Sequence, residues 1–432
     1  MYVLALQQTK IRLSQFVHYR LLHEREGKLL PSLKRIRIPD SFSVDLPAIF
    51  VTLSNNIKYV EDNSPSDETI EFTRTFLSLL GKRSPYIHHL VLRGGRSIDP
   101  SYILAFKSLQ RLELRLAHTF LSLNFIEDLG NLGDLVGLAL HVGPTTLSTP
   151  PPSLLGPTSL PKTSPRHFPR KFCYLKDLEL IGTASAVSRF LEFTHLTKLV
   201  SLTIQEQPEP TNIQTERFWI ESFSRLKVSS YLESVEIQQS AQRRLGHPGY
   251  PLSIHSISPL LHLRTLKRLK IQGGSFCATD AGIFEISNSF PNLTELSLPA
   301  DWYTFSPTIA SVVSLSSNNP KLNKLKIPLI GDITQACSIM SDSIDQLIRE
   351  HCHSLQHLHL ATRFGQLTPK QMIAFAQFLH RSFPLFSNLE GYGAYSASES
   401  WVHVHEFQLA LQAEAMRTLS LAQTQRKDRR VV

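Results

Sequence analysis

Apolar residues recur along this chain in one spacing, Leu-x-x-Leu-x-Leu, in which Ile or Val often replaces Leu. The final positions of the clearest copies are Leu114, Leu180, Ile204, Ile271, Leu298, Ile327 and Leu360, and those of the weaker copies are Ile38, Leu92, Leu140 and Ile237. The last two apolar positions of each copy lie two residues apart, so they face the same side of an extended strand. The pattern predicts eleven short strands, and a degenerate twelfth copy lies at Leu389 and Tyr392.

The stretches between these strands predict segments that return the chain to the next strand. Most successive copies are 22 to 34 residues apart, which is room for one strand and one returning helix or loop. Apolar stripes with helical spacing predict helices over 67–82, 185–193, 278–290, 338–351 and 368–383. Because one such unit cannot bury its own apolar face, neighbouring units must stack. We therefore expect an α/β solenoid with a parallel, concave sheet and with helices on the convex side.

Composition divides the chain into three parts. We expect a helical lead-in over 1–29, the solenoid over 30–395, and a C-terminal helix with a basic tail over 396–432. Within the solenoid, residues 143–170 hold eight of the 26 prolines, and such a run cannot join a sheet. It predicts a projecting spacer loop, and the alternative is a docking or phosphorylation segment at Ser164.

Charge and cysteine usage narrow the class of protein. The 432 residues are 42% hydrophobic and carry a net charge of +9, which is typical of a folded soluble protein and favours acidic partners only weakly. Its four cysteines are far apart and form no C-x-x-C pair, so they predict neither a disulfide framework nor a zinc ribbon and fit a reducing compartment. No window of 18 apolar residues is present, so no membrane contact is expected. These features predict a cytoplasmic or nuclear location.

The stretch "HCHSLQHLHLATR", residues 351–363, invites interpretation as a metal site because it holds four histidines and a cysteine. His357 and His359 lie two apart on a predicted strand, so they share a face with Cα atoms about 6.5–7 Å apart, which is feasible for two zinc ligands. No carboxylate or second cysteine stands nearby in the sequence to complete four ligands. We therefore interpret the histidines as part of an exposed strand face and expect no metal and no cofactor.

Catalytic motifs give no competing signal. The sequence has no G-x-S-x-G elbow, no phosphate-binding loop of the G-x-x-x-x-G-K-[ST] type and no G-x-G-x-x-G after a strand. The chain is therefore not predicted to be an enzyme. A zinc enzyme built on the histidines stays open as an alternative, and stoichiometric metal in the purified protein would indicate it.

With these repeats the sequence resembles the leucine-rich-repeat family over roughly residues 30–395. A sharper resemblance, to the F-box/leucine-rich-repeat proteins of mushroom-forming fungi, rests on three segments, "LLPSLKRIRI", "FLSLLGKRSPYIHHLVLRGG" and "FPNLTELSLPA". In that family an N-terminal F-box docks onto a Skp-type adaptor within a cullin ubiquitin ligase, and the repeats hold the substrate. Residues 1–29 lack the Leu-Pro opening and the later Val-x-x-x-Trp of an F-box, so a Skp-type partner is expected only if an F-box lies upstream. No asparagine ladder recurs after the strands, so the horseshoe is expected to be irregular.

The concave face is predicted from the polar residues that alternate with the apolar strand positions. The candidate partner-binding residues are Arg111, Asp177, Glu179, Arg268, Lys270, Lys324, Lys326, His357 and His359. Charge along this face is basic early, acidic in the middle and basic again late. A single-sign groove would favour a phosphate backbone, whereas a mosaic suits a protein partner.

The sequence therefore predicts a non-catalytic protein–protein interaction module. By resemblance, its role is substrate recognition for an F-box-type ubiquitin ligase. The alternatives are a free-standing repeat scaffold unconnected to ubiquitin and a nucleic-acid binder that uses the late basic strands, which the mosaic of charge makes the weaker of the two.

Overall fold

The computed structural model describes residues 2–5, 32–38, 53–63, 70–94, 98–116, 121–143, 172–208, 215–239, 252–274, 276–299, 307–329, 354–362, 368–383, 386–391 and 398–428. The chain comprises two compact units, Met1–Tyr231 (unit 1) and Leu232–Val432 (unit 2). Each unit is a stack of repeats in which a short strand is followed by a helix or loop. This is the α/β leucine-rich-repeat solenoid architecture that the spacing of the leucines predicts.

The sheet of unit 1 is parallel, and its strands follow one another in chain order. They are β1 (Tyr2–Ala5), β2 (Leu33–Ile38), β3 (Tyr59–Asp62), β4 (His89–Gly94), β5 (Arg111–Leu116), β6 (Gly137–Val142), β7 (Asp177–Gly182) and β8 (Ser201–Glu206). The apolar positions of successive repeats are in register: Leu112 pairs with Leu138, which pairs with Leu178. The predicted stacking of leucines along adjacent parallel strands is confirmed.

The helices of unit 1 return the chain between these strands. They are α1 (Ile70–Arg83), α2 (Leu123–Gly130), α3 (Ala184–Glu192) and α4 (Thr215–Arg225), with 3-10 turns at Pro100–Ala105 and Leu226–Val228. Side-chain caps mark the N-terminal ends of α2 and α3. Ser122 Oγ accepts a hydrogen bond from the backbone N–H of Phe125, and Thr183 Oγ1 accepts one from that of Ala186. Helix α3 packs against β6 and β7, on the side to which their leucines point.

The main sheet of unit 2 is also parallel, and its strand order is β9, β11, β13, β14, β15, β16. These strands are β9 (Ser234–Gln238), β11 (Arg268–Gln272), β13 (Glu295–Ser297), β14 (Lys324–Leu329), β15 (His357–Thr362) and β16 (Asn388–Gly391). A separate two-stranded ladder joins β10 (Leu252–Ser253) to β12 (Phe276–Cys277). The degenerate twelfth copy of the repeat is therefore a genuine strand, β16.

The helices of unit 2 are α5 (Ile254–Ile257), α6 (Asp280–Ser289), α7 (Ile309–Asn318), α8 (Pro369–Ser382) and α9 (Ser398–Asp428), with a 3-10 turn at Ser258–His262. Thr368 opens α8 with a capping box that includes Gln371. Helix α9 packs against α8 and β16, and Gln408 and Gln412 both donate to the backbone oxygen of Phe386. Among the described helices, none combines the length and the apolar composition that a bilayer crossing requires.

The core lies between the sheet and the helices of each unit. The repeat leucines and isoleucines are almost wholly buried, and the largest buried side chains are aromatic: Trp219, Phe76, Phe106, Phe190, Phe223, Phe290, Phe375, Phe383 and Phe386. Each fully buried side chain of this kind contributes about 1.5–3 kcal/mol through removal of apolar surface from water. Burying one face of a strand requires buried and partly exposed residues to alternate along it, and β7 shows this pattern, because every second residue is buried.

Two strands of unit 1 are absent from the sequence-based prediction. Strand β3 divides the 54-residue interval between Ile38 and Leu92. Its last residue, Asp62, lies 24 residues after Ile38 and 30 residues before Leu92. Asp62 occupies the last core position of its repeat, where other repeats have Leu or Ile, so the apolar pattern is broken. Its carboxylate is fully buried and accepts a hydrogen bond from Thr73 Oγ1 on α1.

Strand β1 lies in the segment 1–29, for which the sequence predicts a helical lead-in. Residues Tyr2–Ala5 instead pair with β2 in parallel, and the rest of that segment lies outside the described residues. Residues 144–170 of the proline-rich run and the helix predicted over 338–351 also lie outside the described residues. The helix predicted after residue 396 corresponds to α9.

Consecutive repeats are joined by side chains in the turn before each strand. Ser229 Oγ donates to the backbone oxygen of Leu196, and Thr265 Oγ1 donates to that of Leu232. Ser354 Oγ donates in the same way to Pro320. These hydroxyls connect residues 33 or 34 positions apart, so they perform the linking role that an asparagine ladder after the strands would otherwise supply.

Candidate protein-binding surface

The polar residues between the core positions line the opposite side of each sheet, which we call the open face. Because the strands are parallel and in register, these residues form rows that cross the strands. In unit 1 the first row is Arg35, Tyr59, His89, Arg111, Gly137, Asp177 and Ser201, and the second row is Arg37, Glu61, Val91, Glu113, Ala139, Glu179 and Thr203. A third row, one step further along the strands, holds Arg93, Arg115, His141, Ile181 and Gln205.

Two arginines of the third row connect the carboxylates of the second row. Arg93 Nε donates to Glu113 Oε1 over 2.7 Å, and Arg115 Nε lies 2.7 Å from the same oxygen. Arg115 Nη2 also donates to Glu179 Oε1 over 3.0 Å, and Gln205 Nε2 donates to that oxygen over 2.7 Å. The hydrogen bond to Glu113 raises the pKa of Arg93. The result is a chain of ion pairs that links β4, β5 and β7 and is extended to β8 by the hydrogen bond from Gln205.

Glu61 anchors the other end of this network. Its side chain is 7% exposed, and it accepts hydrogen bonds from the Tyr59 hydroxyl at 3.0 Å and from Asn63 Nδ2 at 3.2 Å. Arg37 Nε and Arg93 Nη1 lie 3.5 and 3.4 Å from its oxygens. Burial alone would raise the pKa of Glu61, but these hydrogen bonds and positive charges outweigh it and hold the pKa below its usual value.

A groove with a volume of about 350 Å³ crosses the open face above β6. The groove is deepest over β6 because Gly137 and Ala139 are the smallest residues of their rows. Arg111 reaches across from β5, and its Nη2 lies 3.6 Å from Asp177 Oδ2 on β7. At the β4 side, His89 packs edge-on against Tyr59, and burial, followed by the charge of Arg111, lowers the pKa of His89.

The open face of unit 2 carries two comparable rows. The first is Ser234, Arg268, Glu295, Lys324, His357 and Asn388, and the second is Glu236, Lys270, Ser297, Lys326, His359 and Glu390. Glu295 lies between two of the lysines, with its oxygens 3.2 Å from Lys270 Nζ and 3.5 Å from Lys324 Nζ. Burial, followed by the charge of Lys324, lowers the pKa of Lys326. Positive charge on these strands is therefore partly neutralised within the face.

The histidine pair lies on the open face of β15, as the strand period predicts. His359 Nδ1 is 3.0 Å from Glu390 Oε2 on β16. Burial lowers the pKa of His359, and the opposing effect of Glu390 does not overcome it. No three potential metal ligands converge among the residues that the structure describes. Residues 351–353 of the histidine stretch lie outside that set, so the expectation that this is not a metal site stays a prediction.

The predicted contact residues all lie on strands, but they belong to two separate groups. Unit 1 brings together Arg111, Asp177 and Glu179, and unit 2 carries the remaining six. Sequence reasoning missed the third row and therefore missed Arg93 and Arg115. Extending the period-two pattern by one position beyond the last apolar residue would have identified both. It also missed β3, and with it Tyr59 and Glu61.

Comparisons with known proteins find only distant structural similarity. No family model matches the sequence, and no curated protein matches it. Among solved structures, an internalin of Listeria monocytogenes is 14% identical, with a TM-score of 0.43 over 87% of this chain and 94% of that chain. Internalin C2 of the same species is 17% identical, with a TM-score of 0.28 over 52% and 73% of the two chains. A Bacteroides fragilis protein is 15% identical, with a TM-score of 0.25 over 50% and 73%.

These similarities are too weak to transfer a function. The order and register of the strands show a solenoid with leucine-rich-repeat architecture, and the comparisons lend no support to membership of the fungal F-box group.

Proposed function

We propose that this chain is a non-catalytic interaction module whose open faces bind a partner protein. The observation that carries the proposal is the mosaic of charge on the open face of unit 1. In its described rows, five arginines (Arg35, Arg37, Arg93, Arg111, Arg115) alternate with four carboxylates (Glu61, Glu113, Asp177, Glu179). A partner must present a matching mosaic, and complementary charge of this kind sets specificity and the rate of approach.

Rigidity of the face supports the same function. Backbone ladders hold the strands, and the ion network holds Arg93, Glu113, Arg115 and Glu179 in place before any partner arrives. A preformed surface loses little side-chain entropy on binding, so more of the contact energy appears as affinity.

A nucleic-acid partner is the weaker alternative. Phosphate backbones require cations that are not already paired, whereas Arg93, Arg115, Lys270 and Lys324 each contact a carboxylate within the protein. Fluorescence anisotropy with labelled RNA and duplex DNA tests this directly. Binding that falls steeply between low and physiological salt would replace the protein-binding proposal with a nucleic-acid one.

A matched pair of charge reversals tests the protein-binding proposal. One variant exchanges the exposed pair Arg111–Asp177 on the open face (Arg111→Asp with Asp177→Arg), and the control exchanges the exposed pair Arg217–Glu221 on α4 (Arg217→Glu with Glu221→Arg). Partners captured by cross-linking and quantified by mass spectrometry should be lost in the first variant and kept in the second. The reverse pattern would place binding on the helical side and contradict the proposal.

The narrower proposal is that the bound protein is a substrate presented to a ubiquitin ligase. Its support is the sequence resemblance in residues 29–38, 76–95 and 290–300. Immunoprecipitation of the protein from its own cells, probed for a Skp-type adaptor and a cullin, tests it. If both are absent while other partners are recovered, the chain acts as a free-standing scaffold.

A further inference from the structure

The β2–β4 end of the open face of unit 1 carries an excess of basic residues. The residues one position before the first row form a further row, which we call the edge row. Its first three members are Lys34, Lys58 and His88. They are aligned, because the backbone N–H of Lys58 donates to the oxygen of Lys34 and that of His88 donates to the oxygen of Lys58, each over 2.9 Å. Adjacent strands lie about 4.8 Å apart, so these three basic residues span about 10 Å.

Arg35 lies in the first row beside Lys34 and is held in place without an ion pair. Its Cζ is 3.8 Å from the centre of the Tyr59 ring, a stacking contact that orients the planar guanidinium and leaves its N–H edges available. The other four arginines of the three rows each lie within 4.0 Å of a carboxylate, and they are Arg37, Arg93, Arg111 and Arg115. Among the residues that the structure describes, none accepts a hydrogen bond from Arg35.

An exposed aromatic ring lies beside these cations. Tyr86, in the turn before β4, is 56% exposed. Lys58 Nζ donates to the backbone oxygen of Tyr86 over 3.2 Å and lies 5.5 Å from the centre of its ring, so Lys58 is held against the tyrosine. Tyrosine and arginine are the residues enriched at the most tightly held points of protein interfaces. This combination therefore marks a contact point rather than a solvated strand end.

The negative charge nearby is already committed. Glu61 is the one carboxylate in the described rows of β2–β4, and four side chains contact its oxygens. Asp62 lies on the core side and is fully buried. Lys34, Arg35 and Lys58 have no carboxylate partner among the described residues. An incoming acidic group can therefore pair with them without displacing an existing ion pair.

We propose that this basic patch, formed by Lys34, Arg35, Lys58 and Tyr86, binds an acidic segment of the partner protein through its aspartate or glutamate side chains. The inference rests on the proposed function and specifies the chemistry of the partner. Arg35 offers a planar pair of donors that fits one carboxylate, the two lysines attract a second, and the Tyr86 ring covers the adjoining apolar part of the segment. A nucleic-acid strand fits less well, because these cations cover only about 10 Å and a phosphate backbone is bound along a track of them.

Phage display of random 12-residue peptides against the immobilised full chain tests the inference without a known partner. Enriched peptides should share acidic residues at aligned positions. Two variants address the patch: Arg35→Gln removes the unpaired charge, and Tyr86→Ala removes the exposed ring. The control for the first is Arg217→Gln on α4, whose side chain is 69% exposed. The control for the second is Tyr174→Ala, because Tyr174 is also 56% exposed and has Lys198 Nζ 4.7 Å from its ring centre, but precedes the acidic strand β7.

Synthetic versions of the enriched peptides should bind the Arg35→Gln variant about 10-fold or more weakly, which corresponds to about 1.4 kcal/mol. Tyr86→Ala should cost about 5-fold or more, and both controls should stay within about 2-fold. Replacing the aligned acidic residues of the peptide with amides should cause a similar loss, and combining it with Arg35→Gln should add little further. A carbodiimide, which joins amines to carboxylates in direct contact, should couple the peptide to Lys34 or Lys58 and not to Lys198. Circular dichroism establishes that the variants are folded.

Three outcomes contradict the inference in distinguishable ways. Peptides that share no acidic position, or that bind the Arg35→Gln and Tyr86→Ala variants as tightly as the native chain, would overturn the patch inference and leave protein binding intact. Labelled RNA that binds the native chain and is lost with Arg35→Gln would assign the patch to a phosphate backbone instead. A library that yields no peptide above background would count against the proposed function as well.

Discussion

Replacing Asn319 with alanine is expected to weaken the junction between two neighbouring repeats of unit 2. Asn319 follows α7 and is fully buried. Its Nδ2 donates to the backbone oxygens of Ser287 at 3.1 Å and Phe290 at 2.7 Å, both at the end of α6. The amide therefore ties the end of one helix to the end of the preceding one, across about 30 residues of sequence.

The magnitude follows from these two bonds. Each buried hydrogen bond contributes about 1 kcal/mol net, and an acceptor left without a donor costs about 1–3 kcal/mol. Asn319 Oδ1 is itself buried without a hydrogen-bond partner among the described residues, so its removal recovers part of the loss. We expect Asn319→Ala to lower the free energy of unfolding by about 2 kcal/mol. Asn319→Asp should cost more, because it turns a carboxylate oxygen towards two carbonyl oxygens.

The neighbouring residue provides the control. Asn318 donates to Ser287 Oγ and to Asn288 Oδ1, both at 3.0 Å, from a partly exposed position where water can substitute. Asn318→Ala should therefore cost about 0.5 kcal/mol or less. Urea denaturation followed by circular dichroism measures the total change. Hydrogen exchange of the α7 and β14 amides measures the local change, which should be roughly 30-fold faster exchange for 2 kcal/mol. Equal losses for the two alanine variants would refute the reasoning.

Three further outcomes follow from named contacts. A Cβ added at Gly182 would lie 2.2 Å from the backbone oxygen of Val142, whereas one at Gly133 meets nothing within 4 Å. Thermal denaturation should therefore show Gly182→Ala destabilised by about 2 kcal/mol or more and Gly133→Ala changed by less than about 0.5 kcal/mol; similar values would be inconsistent with close strand contact. Because the folded-state pKa of Glu61 is lowered, its ionised carboxylate stabilises the folded protein above the usual carboxyl pKa. This contribution to the free energy of unfolding is lost as pH falls through the lower folded-state pKa. Glu61→Gln should therefore cost about 1–2 kcal/mol at pH 7 in urea titrations, and the difference from the native chain should shrink below about pH 4; a constant difference would show that charge is not the cause. Finally, Glu295→Gln should cost less than about 1 kcal/mol, and 0.5 M salt should reduce that cost, because Lys270 and Lys324 are partly exposed; a salt-independent loss would contradict the ion-pair interpretation.

The candidate surface owes its chemistry to contacts between residues of nearby repeats that are far apart in the sequence. Arg115 and Glu179, which meet at 3.0 Å, are 64 residues apart in the sequence, and Arg93 and Glu61 are 32 residues apart. Charge blocks along the sequence predict a basic late region. Register instead places Glu295 between Lys270 and Lys324 and brings Glu390 against His359. A mixed face is the consequence, and it is the reason for preferring a protein partner over a phosphate backbone.

Local sequence was sufficient for the strands that follow the leucine pattern, for the face on which each side chain lies, and for the four return helices α1, α3, α6 and α8, but it did not predict α2, α4, α5 or α7. The elements that it did predict depend on periods of 2 and 3.6 residues and on burial of apolar side chains, which act within one repeat. It was not sufficient for β3, where a buried Asp62 replaces the expected apolar residue and is accommodated through Thr73 on α1. Nor was it sufficient for the groove, whose depth comes from Gly137 and Ala139 only because larger residues stand beside them on β5 and β7. Which side chains become neighbours across a sheet is set by strand register, and register is a property of the stacked repeats together.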